Sequence, residues 1–389
     1  MEEAAGFVVE TSYHTQCTMR VIHLTSVHNP RDSRICEKEC TSLAQAGHQV
    51  VLVVPGERDE KVNGVQIRTV RKSGGRLSRM TCCVWRVYSE ARRQNGDVYH
   101  FHDPELIPAA LLLRLQGKRV IYDVHEDLPR TIQYKPYLPV WLARPIKCIC
   151  QCLEWATAGY FTAIVAATTE IGARLCRINP HTVVVSNFPL LDGITSTAGQ
   201  SLVREPTVTY VGSITEARGI RELVQAMALL PRAVPVRLAL AGAFDPPELK
   251  QEVAKLPGWE RVDYLGMLDR TGVINLLGRV QAGLVVLHDT PNYVSAWPIK
   301  LFEYMRAGIP VIASHFPLWR GIVGGSGCGL LVDPADPQAI ANAIIELFTH
   351  PNEANQMGER GRARVATHYN WKTEEAKLVG LYASLENGA

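Results

Sequence analysis

The 389-residue chain lacks the short motifs that identify the commonest nucleotide-binding folds. It contains neither the GxGxxG fingerprint of dinucleotide-binding proteins nor a GxxxxGK[ST] phosphate loop. Its longest apolar region, residues 148–168, is interrupted by Gln151 and Glu154 and falls short of a membrane span. Residues 1–19 include acidic side chains and no sustained apolar core, unlike a secretory signal. We therefore expect a cytoplasmic protein that crosses no membrane.

Metal-binding and disulfide patterns are also missing, although the chain has ten cysteines. No CxxC pair occurs, and no histidine spacing completes a zinc site. A helix would place Cys148 and Cys152 on one face and Cys150 on another, which is poor geometry for one ion. We expect no bound metal, and reduced, mostly buried thiols. The net charge of +3 is too small to indicate nucleic-acid binding across the chain.

Short apolar runs alternate with helical stretches, which is typical of parallel α/β folds. The predicted strands are 20–26, 50–54, 65–70, 98–102, 119–125, 163–168, 182–187, 208–212, 236–242, 262–266, 283–287, 309–314 and 329–333. Small and polar residues at 191–206 indicate a linker. We predict a tail over 1–19, one doubly wound domain over 20–190, a second over 207–370 and a terminal helix over 371–389. Ligands would bind in the cleft between the domains.

Two stretches of the second half carry candidate chemistry. In WPIKLFEYMRAG, Lys300 and Glu303 are neighbours near the start of an otherwise apolar helix. A helix N-terminus attracts phosphate, and a carboxylate one turn further in suits a ribose diol. In YVGSITEARG, a glycine-containing loop follows a strand, and Arg218 precedes a helix at a second candidate anion site. For each charged side chain, the alternative is an ordinary solvated surface position.

These stretches together resemble retaining glycosyltransferase family four, which has the GT-B fold of two Rossmann-like domains facing a central cleft. The family pattern is V-G-R-L and then K-G before a helix, followed later by E-x7-E-A-M-A-x-G-x-P-V. The first strand and helix, HLTSVHNPRDSRICEKECTSLAQAG, and the ending NWKTEEAKLVGLYASL resemble its polysaccharide-assembly branch. The resemblance runs from about residue 20 to the end, and we expect the terminal helix to pack back toward the first domain.

The resemblance implies that the second domain binds the sugar donor. Glu303 would hold the nucleotide ribose, and Arg218 and Lys300 would balance the charge of the departing diphosphate. The predicted donor-binding residues are Gly212, Ser213, Arg218, Gly266, Met267, Leu268, Ser295, Lys300, Leu301 and Glu303.

Two of these positions depart from the family pattern. Ser213 replaces the arginine of V-G-R, which removes one phosphate contact. Ser295 replaces the first glutamate, which contacts the donor sugar, so the identity of the sugar stays open. Lys300 would supply part of the missing positive charge, jointly with Arg34 of the first loop.

In the first domain, His125 of DVHEDLP matches the family histidine beside the reacting sugar, and we predict it to be catalytic. His102 and Asp103, at the end of a neighbouring strand, are placed on the acceptor or sugar side together with Arg34 and Glu126. For the histidines the alternative is an ordinary polar residue at a strand end.

The function that the resemblance implies is retaining, metal-independent transfer of a hexose, glucose or N-acetylglucosamine, from a UDP-sugar, without a cofactor. The acceptor would be a saccharide, lipid-linked in the synthesis of an exported or cell-surface polysaccharide. The basic segment 71–93 has Met80, Cys83, Val84 and Val87 at helical spacing. It indicates either contact with anionic lipid on the inner face of the membrane or a solvated basic helix face.

The sequence leaves two other functions open. A UDP-sugar 2-epimerase of GT-B fold also needs no metal, and His125, Glu126 and Asp127 do not exclude it. A catalytically inactive nucleotide-sugar-binding protein is suggested by the departures at Ser213 and Ser295.

Overall fold

The computed structural model describes residues 18–127, 129, 132, 140–191 and 204–387. The chain divides into two compact units. The first contains the chain to His125, Cys152–Val185 and the residues from Glu375 onward; the second contains Glu126–Gln151 and Ser186–Glu374. The chain thus passes between the units several times. Most of the predicted tail and of the predicted linker lies outside the described residues.

The first unit is built on an eight-stranded sheet. Its strands are β1 (Arg20–Leu24), β2 (Gln49–Pro55), β3 (Glu60–Val62), β4 (Val65–Val70), β5 (Val98–Phe101), β6 (Arg119–Val124), β7 (Ala163–Ala166) and β8 (Thr182–Val184). Their order is β3-β4-β2-β1-β5-β6-β7-β8, and only β3 is antiparallel to its neighbour. The central strands are buried over nearly their whole length, because helices cover both faces of a parallel sheet.

Strand β3 is the one element of this sheet that was not predicted. It is a three-residue edge strand that returns to β4 through Asn63 and Gly64, both with positive φ (48° and 86°). An Asn-Gly pair between strands is a strong hairpin signal, because both residues tolerate the left-handed backbone of a tight turn. The signal was therefore present in the sequence.

The helices of the chain up to β8 are α1 (Thr41–Gln45), α2 (Val84–Arg93), α3 (Ile107–Leu115), α4 (Val140–Ala158) and α5 (Thr169–Leu175). A π-helical segment, Ile35–Cys40, leads into α1. Gly47, with φ 94°, follows it as the predicted helix stop.

The basic segment 71–93 is helical, but its apolar side is largely internal. It contains short helical pieces over Arg76–Ser78 and Arg79–Cys83 before α2. Cys83 and Val87 lie in the core of the first unit, so the predicted membrane-facing side is wrong at these two positions. Of the other two predicted positions, Met80 is exposed and Val84 is partly buried against the core; Leu77 and Trp85 are exposed as well.

The expectation of mostly buried thiols is also wrong. In the described part of the chain, Cys82, Cys148, Cys152 and Cys176 are exposed and Cys150 is partly exposed, whereas four other cysteines are buried. Helix α4 presents the CICQC cluster to solvent because its inward positions are taken by other residues, such as the buried Glu154, which pairs with Arg174.

The second unit is built on a six-stranded, all-parallel sheet. Its strands are β9 (Thr207–Val211), β10 (Arg237–Ala241), β11 (Val262–Gly266), β12 (Ala282–Val285), β13 (Val311–Ser314) and β14 (Gly329–Val332), in the order β11-β10-β9-β12-β13-β14. From β9 onward, the described α-helices of five residues or more are α6 (Ile220–Ala228), α7 (Leu249–Val253), α8 (Arg270–Arg279), α9 (Ile299–Arg306), α10 (Pro337–Thr349), α11 (Pro351–Thr367) and α12 (Trp371–Asn387). The predicted strands of both halves are confirmed, usually to within two residues at each end.

Two apolar cores lie on the two faces of this sheet. Helix α12 continues into the first unit, where the Tyr382 hydroxyl lies 2.8 Å from His100 Nδ1 on β5. In the described ranges, no helix combines the length and the hydropathy that crossing a bilayer requires.

Candidate functional site

In the second unit, the strand order reverses between β9 and β12, and the crevice at the carboxyl ends of such strands is the usual ligand position. The loop after β9 begins at Gly212, whose φ is 124° and whose N–H donates to the Ala241 carbonyl over 2.9 Å. A Cβ at this position would lie 3.1 Å from Lys300 Nζ. Glycine therefore lets a cation approach the backbone at the strand end.

Arg218 borders the same loop at the end of a short 3-10 turn, Glu216–Arg218. One Nη donates to the Ser213 carbonyl over 3.1 Å, and Nε lies 3.4 Å from the Tyr293 hydroxyl. The next residue, Gly219, has φ 70°, and a Cβ there would lie within 2.4 Å of the Val286 carbonyl oxygen. This turn therefore needs glycine to place the guanidinium.

Lys300, in the first turn of α9, is the second cation of this site. Its Nζ lies 3.7 Å from the centre of the Tyr210 ring and is shielded from solvent, without a hydrogen-bond partner in the described part of the chain. Burial, and then the charge of Arg218, hold the pKa of Lys300 well below its ordinary value, while Glu303 acts in the opposite direction. An anion bound here would offset both effects, because a nearby negative charge favours the protonated ammonium.

Glu303 lies one turn further along α9 and is partly exposed, between the buried Phe302 and Tyr304. Its carboxylate makes no hydrogen bond to the described residues. Leu301, in contrast, is fully buried in the core. The prediction of Leu301 as a donor-binding residue therefore leaves only its backbone for such a contact, because its side chain packs the helix against the sheet.

The remaining predicted donor residues lie at strand ends and loops of the same unit. Ser213 is exposed, and its carbonyl accepts from Arg218 and from the Tyr210 hydroxyl, the latter over 2.8 Å. The Ser295 hydroxyl donates to the Pro291 carbonyl over 3.2 Å. Gly266 ends β11 with φ 67°, followed by an exposed Met267 and a partly buried Leu268. None of these five residues has a charged side chain, so they do not add to the charge of Arg218 and Lys300.

In the first unit, His125 follows β6, and its Nε2 lies 2.7 Å from Asp123 Oδ2. His102, which follows β5, places Nδ1 3.1 Å from the same oxygen and Nε2 2.9 Å from His23 Nδ1. His23, His102 and Asp123 are buried, whereas the side chain of His125 is 17% exposed. His102 was predicted on the acceptor or sugar side. Its side chain is buried, so it would influence a ligand only through the residues that it contacts.

Arg34 lies inside this network rather than at an open surface. Its guanidinium donates to both Asp123 oxygens, over 3.0 and 3.3 Å, and to the Val185 carbonyl over 3.0 Å. Its Nε also lies 2.9 Å from a Glu39 oxygen. The expectation that Arg34 adds free positive charge for a diphosphate does not fit this arrangement, because its guanidinium is already paired with the buried carboxyl groups of Asp123 and Glu39.

Asp103 is held at the end of β5 by Thr25 and Ser26, whose hydroxyl and N–H each donate to Oδ2 over 2.7 Å. Its other oxygen lies 3.5 Å from His28 Nε2, and the His28 ring contacts the His125 ring edge-on at 5.3 Å. Burial alone would lower the pKa of His28, but Asp32 and then Asp103 raise it. Glu126 is exposed and belongs to the other unit.

Sequence reasoning missed the residues that connect the predicted ones. Asp123 and His23 lie inside predicted strands, and a polar residue in an otherwise apolar strand was the available signal. His28 lies in the loop after β1, where only Arg34 was selected. Tyr210 opens the quoted stretch YVGSITEARG but was not selected, and Tyr293 lies outside the quoted motifs; both border the cations.

Among the residues that the structure describes, one group of side chains is close enough to hold a metal. Ligand atoms of Glu39, His100, His102 and Asp123 all lie within 4.8 Å of one another, and all four residues are buried. Arg34 lies against both carboxylates, so an added divalent ion would be repelled by its charge. The charge balance therefore disfavours this group as a metal site.

Comparison with known proteins agrees with this layout. The family described as Glycosyltransferase Family 4 matches residues 33–188, and Glycosyl transferases group 1 matches residues 197–364. The chain is 22% identical to the MMP alpha-(1->4)-mannosyltransferase of Mycolicibacterium hassiacum, over 74% of this chain and 71% of that protein. It is 24% identical to the phosphatidyl-myo-inositol mannosyltransferase of Mycolicibacterium smegmatis, over 88% of this chain and 87% of that one.

Solved structures show the same fold. Sucrose-phosphate synthase from Thermosynechococcus elongatus superposes with a TM-score of 0.75 at 20% identity, covering 95% of this chain and all of that chain. Anabaena HepE, solved in complex with UDP and glucose, superposes with a TM-score of 0.71 at 14% identity, covering 94% of this chain and all of that one. The two family matches together span most of the chain, and it belongs to glycosyltransferase family 4, with the GT-B fold.

Proposed function

We propose that the protein is a retaining, metal-independent hexosyltransferase that uses a UDP-sugar, with glucose or N-acetylglucosamine as the transferred sugar. The acceptor is a saccharide, lipid-linked in the synthesis of an exported or cell-surface polysaccharide. The observation that carries the proposal is the pair of cations beside Gly212. Lys300 Nζ is shielded from water and has no hydrogen-bond partner in the described chain, so an anion would be bound favourably beside it.

A diphosphate fits this requirement in charge and size. Its two phosphates would lie between Arg218 and Lys300, next to the first turn of α9, whose N–H groups also favour negative charge. Glu303 then lies one turn away, at a position suited to accept hydrogen bonds from a ribose diol. The same groups would stabilise the charge that develops on the diphosphate as the glycosidic bond breaks.

In the proposed reaction, the departing diphosphate oxygen takes the proton of the acceptor hydroxyl on the face from which it leaves. The acceptor oxygen bonds to the anomeric carbon on that face, so the anomeric configuration is retained. Two carboxylates in glycosidase geometry are not required for this route. His125 orients the donor sugar by hydrogen bonding, and Arg218 with Lys300 takes the role that a metal has in other transferases.

Relatives support the class of donor and leave the sugar to experiment. HepE was crystallised with UDP and with UDP-glucose, whereas the curated relatives above are named mannosyltransferases. Ser295, in place of the family glutamate, leaves the sugar side without that carboxylate. For these reasons we propose UDP as the nucleotide and test the sugar directly.

A lipid-linked acceptor would require the protein to contact a membrane surface. Leu77, Met80 and Trp85 are exposed in the basic segment 71–93, at 82%, 55% and 62%. Leu153 and Trp155 of helix α4 are exposed as well. Exposed apolar side chains beside basic ones suit an anionic lipid surface. Flotation with liposomes of anionic and of neutral lipid tests it, and equal binding to both would count against this surface.

The experiment that tests the function is a thermal-shift screen of UDP, GDP and ADP with their sugars, followed by product analysis. A ligand that binds the native state raises the midpoint, and we expect UDP and UDP-glucose or UDP-N-acetylglucosamine to give the largest shifts. The anomeric configuration of the product is then read by NMR. Preference for GDP or ADP would overturn the donor. UDP release with a rearranged sugar and no acceptor would indicate an epimerase, and binding without turnover an inactive protein.

A further inference from the structure

Asp123 meets two histidines through a single oxygen. His125 Nε2 lies 2.7 Å from Oδ2 and His102 Nδ1 lies 3.1 Å from it. The other side of the carboxylate faces Arg34, which donates to both oxygens. The carboxylate is completely buried. The carboxylate therefore connects the partly exposed His125 with the buried His102.

Asp123 is the charged member of the two carboxylates around Arg34. Burial alone would raise its pKa, but Arg34, and then His125, hold the pKa of Asp123 well below its ordinary value. Burial, and then the charge of Asp123, instead raise the pKa of Glu39 well above its ordinary value. One negative charge thus balances the guanidinium, and Glu39 stays protonated.

The charge of Asp123 decides where the imidazole protons are. An ionised carboxylate only accepts hydrogen bonds, so the nitrogen that each histidine turns toward it must carry hydrogen. His102, whose pKa is lowered to about 4 chiefly by burial, is neutral, and its Nε2 accepts from His23 Nδ1. In neutral His125, Nε2 carries the hydrogen and Nδ1 has the lone pair.

We infer that Asp123 is a positioning residue that holds the His125 ring in its Nε2–H form, so that Nδ1 accepts a hydrogen bond from a hydroxyl of the transferred sugar. The identity of that partner rests on the proposed function. Hydrogen bonds from Arg34 hold the Asp123 carboxylate in place, and the carboxylate in turn fixes the orientation of the His125 ring. A sugar hydroxyl then meets an acceptor already in place, which lowers the cost of orienting it.

A simpler role for Asp123 would be to neutralise Arg34 only. The two roles differ in what an Asp123→Glu substitution does. Glutamate keeps the charge beside Arg34 but moves the oxygen that His125 contacts. A positioning role predicts a loss of kcat, whereas a role in charge balance alone predicts kcat close to that of the wild type.

The direct test is nitrogen NMR of the full-length protein labelled with 15N-histidine, in which the tautomer of each neutral ring is resolved. The His125 signal is assigned by its absence in His125→Gln. We expect the Nε2–H form in the wild type and loss of that preference in Asp123→Asn. Glu39→Gln is the matched control, since it is equally buried and also faces Arg34, but does not contact His125. An unchanged tautomer in Asp123→Asn overturns the inference.

Kinetics provide the second readout. Asp123→Asn and Asp123→Glu should each lower kcat by roughly ten- to a hundredfold, with donor KM changed by less than about threefold, while Glu39→Gln stays close to the wild type. An effect on donor KM alone, or none on kcat in a folded Asp123→Glu, also overturns the inference. If the tautomer shifts as expected but the wild type transfers no sugar, Asp123 still positions His125 and the proposed function is the part that fails.

Discussion

The two units treat their charged groups in opposite ways. In the second unit, Lys300 and Glu303 lie within the first two turns of α9 without a direct pairing, and Lys300 has no hydrogen-bond partner in the described chain. In the first unit, Arg34, Glu39 and Asp123 are buried and mutually paired. An unpaired buried cation is costly, so its presence indicates a ligand of opposite charge. A neutralised buried network indicates a rigid support instead.

The largest expected effect concerns the supporting network of the first unit. Burial is the largest cause that lowers the pKa values of His23, His100 and His102 below the ordinary 6.5. The pKa of His102 is lowered to about 4. The unfolded chain binds more protons than the folded one below pH 6.5, so stability falls as the pH falls from there toward 4. The protonation of His102 alone would lower the free energy of unfolding by about 3 kcal/mol over that range. Glu39 and His28, whose pKa values are raised, act in the opposite direction and reduce the net loss.

Hydrogen exchange at pH 7, 5.5 and 4, corrected for the intrinsic rates, measures how the stability of each unit depends on pH. Protection of β1, β5 and β6 should fall before that of β9 and β12. His102→Gln should flatten the dependence in the first unit. Earlier loss in the second unit would show that its charges, and not the histidine network, limit stability in acid.

A smaller effect is expected at Gly212, where the second unit needs its special backbone. Gly212→Ala places a Cβ at φ 124° and 3.1 Å from Lys300 Nζ. We expect UDP affinity to fall about tenfold, because the strain and the displaced cation cost about 1–2 kcal/mol. Gly278→Ala in α8 is the matched control, since a Cβ there meets no atom within 4 Å. Equal UDP affinity for the two variants would place the diphosphate elsewhere.

The smallest expected effect is at Ser213, which replaces the family arginine. Only its carbonyl meets Arg218 and Tyr210, so Ser213→Ala should change UDP affinity by less than about twofold. Isothermal titration measures the difference. A larger loss would mean that the serine hydroxyl contacts the ligand and partly replaces the missing guanidinium.

Much of this layout follows from the sequence because local chemistry specifies it. Apolar runs bounded by glycine and polar residues predicted the strands, and the motif spacing predicted Lys300, Glu303 and Arg218 near one strand end. What did not follow were contacts between distant segments. Arg34 was taken for a free cation because its partner Asp123 lies 89 positions further along the chain. Leu301 lay inside a motif, but the helix turns its side chain to the core.

The most direct test of the central claim compares UDP with uridine as ligands of Lys300→Met and Glu303→Gln, by isothermal titration at one ionic strength. We expect Lys300→Met to weaken the affinity for UDP about tenfold or more and to leave that for uridine nearly unchanged, because Lys300 would meet only the diphosphate. Glu303→Gln should weaken both ligands, because both carry the ribose. Wild-type affinity for UDP in Lys300→Met would contradict the account.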